Sequence, residues 1–302
     1  MVNIVVTQGM GLSSEQKKRL DSLGKVTYYE DIPKTPEVWL KRCEGQDIIL
    51  SGKTGMRDKL YELKGVFFSL RFVGVGWIDK EKIKERNIVI SNCPGCNKDA
   101  VSEWIIAMML NLFRDLPVLI NTEAYNEQDR PGRRIGLTGK TVCILGKGNV
   151  GSRVGKICEA FDMNVVYFLK GGNLIEKSKD ADITIDCLSQ NPTTEGLLNK
   201  KFFKSLKKGS YFITVTGSAI YDVDAMIWAL DKGILAGAAN DSGGINIGDT
   251  KDPFYQKLLK RPKILVTPHI AFNTDVTSKI ANDMMIDNVE AWLKGKPINL
   301  IF

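Results

Sequence analysis

The feature that most restricts the fold of this chain lies near its middle, where residues 141–161 read TVCILGKGNVGSRVGKICEAF. An apolar run leads straight into Gly146, Lys147, Gly148, Asn149, Val150 and Gly151, spaced G-x-G-x-x-G, and a helical pattern follows. A strand, a glycine turn and a helix in direct succession make the unit that holds the pyrophosphate of a dinucleotide. The glycines permit the tight turn and the close approach of the phosphates, and the helix N-terminus offers unpaired N–H groups. The motif alone recurs by chance. Its context here predicts a dinucleotide-binding domain.

The rest of the chain agrees with that unit. Before it, IVV at 4–6, VTYY at 26–29, DIILS at 47–51, VFFSL at 66–70 and NIVIS at 87–91 read as short strands. They alternate with the helical stretches SSEQKKRLDSL, with Ser13 as N-cap, TPEVWLKRC and RDKLYELK. After it, NVVYFL, DITIDCL, SYFITV, ILAGAAN and KILVTP continue the alternation, with a helix opening at Asp222 and a final helix from about Thr274. Alternating strands and helices argue for parallel sheets covered on both faces, and 302 residues suffice for two such domains. Residues 99–114 read as a helix too apolar all round for one buried face, hence buried between domains or subunits. NEQDRPGRRIG, at 126–136, reads as a polar linker.

Charge and composition narrow the function. The net charge is +7, but the basic clusters at 17–19, 82–86, 200–201 and 207–208 are scattered and form no stripe with interleaved aromatics. This speaks against nucleic acid and for a solvated basic surface that suits a phosphate-bearing cofactor. No apolar run is long enough to span a membrane, and the N-terminal MVNIVVTQGM lacks a basic leader region, so a cytoplasmic location is expected. Cys93 and Cys96 form the one C-x-x-C among six cysteines. His269 is the single histidine, so no zinc-site pattern is present and no metal is expected.

The cofactor's ribose leaves its own mark. NAD binding calls for a carboxylate about 20 residues past the first glycine, at the end of the second strand. Leu169 and Lys170 stand there. Without the carboxylate a 2′-phosphate is not repelled, and a lysine pairs with it, so NADP is favoured over NAD.

With these motifs in place, the chain resembles the D-2-hydroxyacid dehydrogenases, a family that includes phosphoglycerate, glycerate and formate dehydrogenases. The resemblance runs over almost the whole length. GVGWIDKEKIKERNIVISNCPGCNKDAVSEW, residues 74–104, is similar to the family's substrate loop and the N-x-P-G-x-N segment after it, which gives Pro94, Gly95 and Asn97 a structural reason. GKTVCILGKGNVGSRVGK resembles the cofactor loop, and ADITIDCLSQNPTTEGLLN the segment beneath the adenine side. KSLKKGSYFITVTGSAIYD, GILAGAANDSGG and KILVTPHIAFNT resemble the segments bearing the catalytic arginine, acid and histidine.

The resemblance implies two Rossmann-like, doubly wound parallel-sheet domains with a cleft between them. Residues 1–96 and 272–302 would form the flavodoxin-like substrate domain, and 97–271 the nucleotide-binding domain. It further implies a homodimer through the helix 99–114, and His269 as the acid/base. Leu188, Ser189, Thr193, Val215, Thr216 and Asp241 would line the cofactor beside the glycine loop. The amides around Val75 and Gly76 would bind the substrate's anionic end, with Lys53 as a further positive charge.

The chain also departs from the family's pattern. The position of the catalytic arginine is Gly217, and that of the carboxylate partner of the histidine is Asn246, with Asp249 three residues on. GGNLIEKSKDA leaves no room for the helix-and-strand unit most members carry there, and VGVGWIDKE is shorter than the usual substrate loop. A bidentate arginine binds and polarises a 2-oxo acid, and a carboxylate fixes the imidazole's tautomer. Two functions therefore compete. One is an NADP(H)-preferring reductase of a small 2-oxo acid or related carbonyl compound. The other is a catalytically depleted NADP(H)-binding sensor or interaction protein.

Overall fold

Short β-branched and aromatic runs, each followed by a capped helix, build both halves of the molecule. The computed structural model describes residues 1–119, 135–243 and 245–301, so most of the linker at 126–136 lies outside them. Two compact units are formed, Met1–Asn97 with Asn273–Phe302 in the first and Lys98–Phe272 in the second.

The first unit starts with β1 (Asn3–Val6), α1 (Ser14–Asp21), β2 (Lys25–Tyr28), α2 (Pro36–Cys43) and β3 (Ile48–Ser51). Then come α3 (Met56–Lys59), β4 (Phe67–Leu70), α4 (Lys80–Glu85) and β5 (Val89–Ser91). All pairs are parallel, in the order β2-β1-β3-β4-β5. Strands β3 and β4 are buried at every position, which is why they read as unbroken apolar runs rather than alternating ones. Ser13 caps α1 reciprocally: its Oγ accepts from the Gln16 N–H at 3.2 Å, and Gln16 Oε1 accepts from the Ser13 N–H at 3.0 Å.

The second unit opens with α5 (Lys98–Arg114), α6 (Leu116–Leu119), β6 (Thr141–Leu145), α7 (Asn149–Ala160) and β7 (Asn164–Phe168). It continues through α8 (Leu174–Ser178), β8 (Ile183–Asp186), α9 (Lys200–Ser205) and β9 (Ser210–Thr214). It closes with α10 (Val223–Asp231), β10 (Leu235–Asn240), α11 (Pro253–Leu259) and β11 (Ile264–Val266). The sheet is parallel, ordered β11-β10-β9-β8-β6-β7. Alternate strand residues face opposite sides. Cys143, Leu145, Phe212 and Ala238 join one core with the α9 and α10 side chains. Val142, Ile144, Ile183, Ile213 and Ala239 join the other with Val101, Ile105, Met109 and Phe113 of α5. The apolar face of α5 is thus filled within its own unit. Helix α11, which the strand pattern did not foretell, starts at a local signal: Asp252 accepts from the Phe254 N–H at 2.8 Å, with Pro253 at the first helical position.

Helix α12 (Asp275–Leu293), capped by Thr274, returns to the first unit. Met285, Ile286 and Val289 enter its core beside Ile4, Leu50 and Phe67. Trp292 stacks on Phe67 with ring centroids 4.6 Å apart, and Asn288 Nδ2 donates to the Asn92 carbonyl at 2.9 Å. Met285 is completely buried. Met285→Ala should therefore destabilise this unit by about 2–5 kcal/mol, read as a lower urea midpoint. An unchanged midpoint would show that the α12 contacts contribute little.

Candidate active site

In a parallel sheet with right-handed crossovers every strand ends on the same edge, and ligand sites gather there. In the second unit the sequence motifs place their side chains on that edge. At the end of β6, Gly146 adopts φ +93, a left-handed conformation that side chains resist. A Cβ on Gly151 would lie 2.1 Å from the Gly146 carbonyl oxygen, so only glycine closes this turn. Gly148 is the N-cap of α7; no side chain caps it, no acid stands in the first turn, and open space surrounds its α-carbon. The twelve-residue α7 therefore presents free N–H groups with room for a pyrophosphate. Past β7, Leu169 is 51% exposed and Lys170 is exposed with no carboxylate partner among the described residues. The Lys147 ammonium rests 4.7 Å from the centroid of the Tyr167 ring, on the same strand.

The ends of β8 and β9 are joined by a buried acid. Asp186 has no exposed surface. It accepts from Thr214 Oγ1 at 3.0 Å, Thr216 Oγ1 at 2.5 Å and the Leu188 N–H at 3.1 Å, with no cationic partner among the described residues. Burial raises its pKa to about 6, against the lowering by those hydrogen bonds. Leu188 approaches Gly146 and backs the glycine turn. Ser189 accepts from Thr194 Oγ1 at 2.8 Å, and Thr193 bonds Asn191 Oδ1 at 2.6 Å, so both brace a local turn. Val215 is half-buried.

At the ends of β10 and β11 lies His269. Its backbone is held at φ +57, unusual for a residue with a side chain. Asp241 holds it there: one oxygen accepts from Thr267 Oγ1 at 2.5 Å and the Ile270 N–H at 2.9 Å, the other from the Ala271 N–H at 2.9 Å. Burial raises the pKa of Asp241. His269 Nδ1 lies 3.0 Å from the Ile245 carbonyl oxygen. A carbonyl only accepts, so Nδ1 carries the proton and Nε2 is left for other chemistry. The ring edge meets Phe272, with centroids 5.8 Å apart.

A backbone carbonyl thus orients the histidine where the family pattern has a carboxylate and this chain has Asn246. Asn246 is exposed, and Asp249 accepts from the Lys251 N–H at 3.0 Å. Neither is hydrogen-bonded to the imidazole. Gly217 bridges Gly243, two residues before Ile245, so one loop touches both the β9 end and the histidine.

In the first unit the expected substrate residues also share the C-terminal strand edge. Lys53 follows β3, and its ammonium lies 5.1 Å from the Phe72 ring centroid and close to Gly74. Partial desolvation, and then the Arg57 charge, hold its pKa below the usual lysine value. In the loop after β4, the Trp77 indole N–H donates to the Gly74 carbonyl at 3.2 Å and the Ile78 N–H to the Val75 carbonyl at 3.0 Å. The Val75 and Gly76 amides have no acceptor among the described residues. Cys93 and Cys96 are core thiols: both are buried, and burial pushes both up in pKa, the opposite of a reactive pair.

Sequence reasoning missed Asp186 and the Ile245 carbonyl. The first left a signal, an acid closing the apolar strand of DITID, opposite threonines two apart in TVT that share one face. The second left none, since any residue supplies a carbonyl.

Comparison with known proteins supplies the family. Residues 106–271, more than half of the chain, match the model described as D-isomer specific 2-hydroxyacid dehydrogenase, NAD binding domain. The chain is 28% identical over 295 residues to the D-lactate dehydrogenase of Streptococcus pyogenes serotype M1, covering 87% of this chain and 88% of that one. It is 26% identical over 333 residues to the hydroxypyruvate reductase of Blautia hydrogenotrophica, covering 99% of both. Among solved structures, an acyclic imino acid reductase in complex with NADPH and D-Arg superposes with a TM-score of 0.87 over the full length of both chains, at 22% identity. No described helix is long and apolar enough to cross a membrane.

The buried acid makes stability depend on pH. The folded chain holds the Asp186 proton more tightly than the unfolded chain does. Its contribution is therefore complete below pH 3.8 and is lost as pH rises to about 6. Asp186→Asn should gain thermal stability relative to the parent across that window. A Tm difference that does not change between pH 4 and pH 6 would show that this carboxylate does not titrate there.

Proposed function

The chain belongs to the D-isomer specific 2-hydroxyacid dehydrogenase family, and on that footing we propose that it is an NADP(H)-preferring reductase of a small 2-oxo acid or related carbonyl compound. The observation that carries this reading is His269. Its Nδ1 is fixed by the Ile245 carbonyl and its backbone by Asp241, on the same sheet edge as an open glycine loop. An imidazole so fixed donates a proton from Nε2 to the reduced carbon's heteroatom, or takes it back in the reverse direction.

Gly146, Lys147, Gly148, Asn149, Val150 and Gly151 hold the pyrophosphate in this reading. Leu188, Ser189 and Thr193 lie along the adenine side, Val215 and Thr216 line the cofactor from the end of β9, and Asp241 takes the nicotinamide amide with whatever acceptor capacity the His269 turn leaves. The cofactor supplies hydride to the substrate carbon. Two lysines support NADP(H). Lys170 stands where NAD binding calls for an acid, and Lys147 lies over Tyr167 near the end of the same strand. The Val75 and Gly76 amides, which have no acceptor among the described residues, and the Lys53 ammonium take the substrate's anionic end in this reading. A lysine supplies charge there without the two-pronged fit of the arginine.

Two substitutions test the reading. His269→Ala should lower kcat by about 10²–10⁴-fold while the dissociation constant for NADPH, read by nicotinamide fluorescence, stays put. Full turnover in that variant would remove His269 from the chemistry. Lys170→Asp should weaken NADPH binding about tenfold or more and improve NADH binding. An unchanged ratio of the two affinities would refute the 2′-phosphate contact.

A further inference from the structure

Hydride addition to a neutral carbonyl builds negative charge on oxygen, and a nearby cation stabilises it. At the ends of β8 and β10, apart from the lysines of the glycine loop and β7 end, the fixed charges have the opposite sign. Asp186 ends β8 and Asp241 follows β10, and every hydrogen bond to either comes from a neutral donor. The place where the family pattern has an arginine is Gly217, next to Thr216, whose hydroxyl is bound to Asp186. Space does not forbid a side chain there. A Cβ on Gly217 would make only ordinary contacts, 3.6 Å from the Gly243 carbonyl oxygen and 3.7 Å from Gln190 Oε1. Where the family pattern has a cation this chain has none, and an anion stands at the end of the neighbouring strand.

We infer that the reacting group this edge selects is a cation: a protonated imine formed from a 2-oxo acid and an amine, with Asp186 acting through Thr216 as the positioning residue for that charge. This rests on the hydride-transfer reading above and narrows its substrate. An opposite charge nearby favours the protonated form of an imine, and a protonated imine needs no arginine to polarise it. The hydride of the reduced nicotinamide forms the new C–H bond. The C=N π pair becomes the nitrogen lone pair, leaving a neutral amine and the oxidised nicotinamide. Nitrogen then takes the Nε2 proton of a protonated His269, giving an ammonium product. One hydride and one proton are transferred in all, and the imine's own proton stays on nitrogen.

The test uses the intact protein with NADPH followed at 340 nm, pyruvate alone against pyruvate with excess methylamine, and N-methylalanine sought by mass spectrometry. The expected result is consumption at least about tenfold faster with the amine, the change that one pK unit represents. Asp186→Asn should lower the ratio of amine-dependent to amine-independent rates by a similar factor. It should also weaken calorimetric binding of N-methylalanine to the NADP⁺-loaded protein. Gly217→Arg, at a position where a Cβ makes only ordinary contacts, should shift the rate ratio the same way by restoring 2-oxo acid reduction. Pyruvate reduced equally with and without amine would overturn the inference and leave the reductase reading standing, as would Asp186→Asn lowering both rates together. NADPH bound but consumed with neither substrate would overturn both.

Discussion

Parallel strand pairing governs where chemistry can occur in this molecule. Each βα crossover returns the chain to the same end of the sheet, so successive strands deliver their last residues to one edge. On the second unit's sheet that edge receives the glycine turn after β6, Asp186 from β8, Thr216 after β9, Asp241 after β10 and His269 after β11. These residues are far apart in sequence and share no local motif. The sheet assembles them, and its two apolar cores fix the strands that carry them.

The second dependence is on backbone atoms. Gly151 passes so close to the Gly146 carbonyl that the turn excludes every other residue. His269 is held in a left-handed conformation by a carboxylate that bonds its neighbours' amides rather than its ring. The ring in turn is oriented by a carbonyl. A carbonyl fixes a tautomer as well as a carboxylate does, but carries no full charge to stabilise an imidazolium.

Much of this was legible from the residues alone. The strands of both units, the cap at Ser13, the long helix α5 and the glycine loop all lie where periodicity and turn chemistry put them. These are local properties, and local patterns report them. Helix α11 escaped because seven residues between two strong strands leave a weak period, although its Asp-Pro start was visible. Asp186 escaped for another reason. An acid ending an apolar run reads as a strand boundary until the neighbouring strand's threonines are known to face it. The acid missing at Asn246 was legible, but not what orients His269 instead, because loop geometry after β10 decides which atom reaches the ring and spacing does not encode that.

One consequence of the chain's path concerns synthesis. The first unit is built from both ends of the chain, with the whole second unit threaded between β5 and α12. On the ribosome the second unit has all its strands while the first still lacks the helix whose Met285, Ile286 and Val289 close its core. Until α12 emerges, the apolar face formed by Ile4, Leu50 and Phe67 has only part of its cover, Leu20 of α1 among it. The nascent first unit then keeps apolar surface in water, even though its strands were the first to be made.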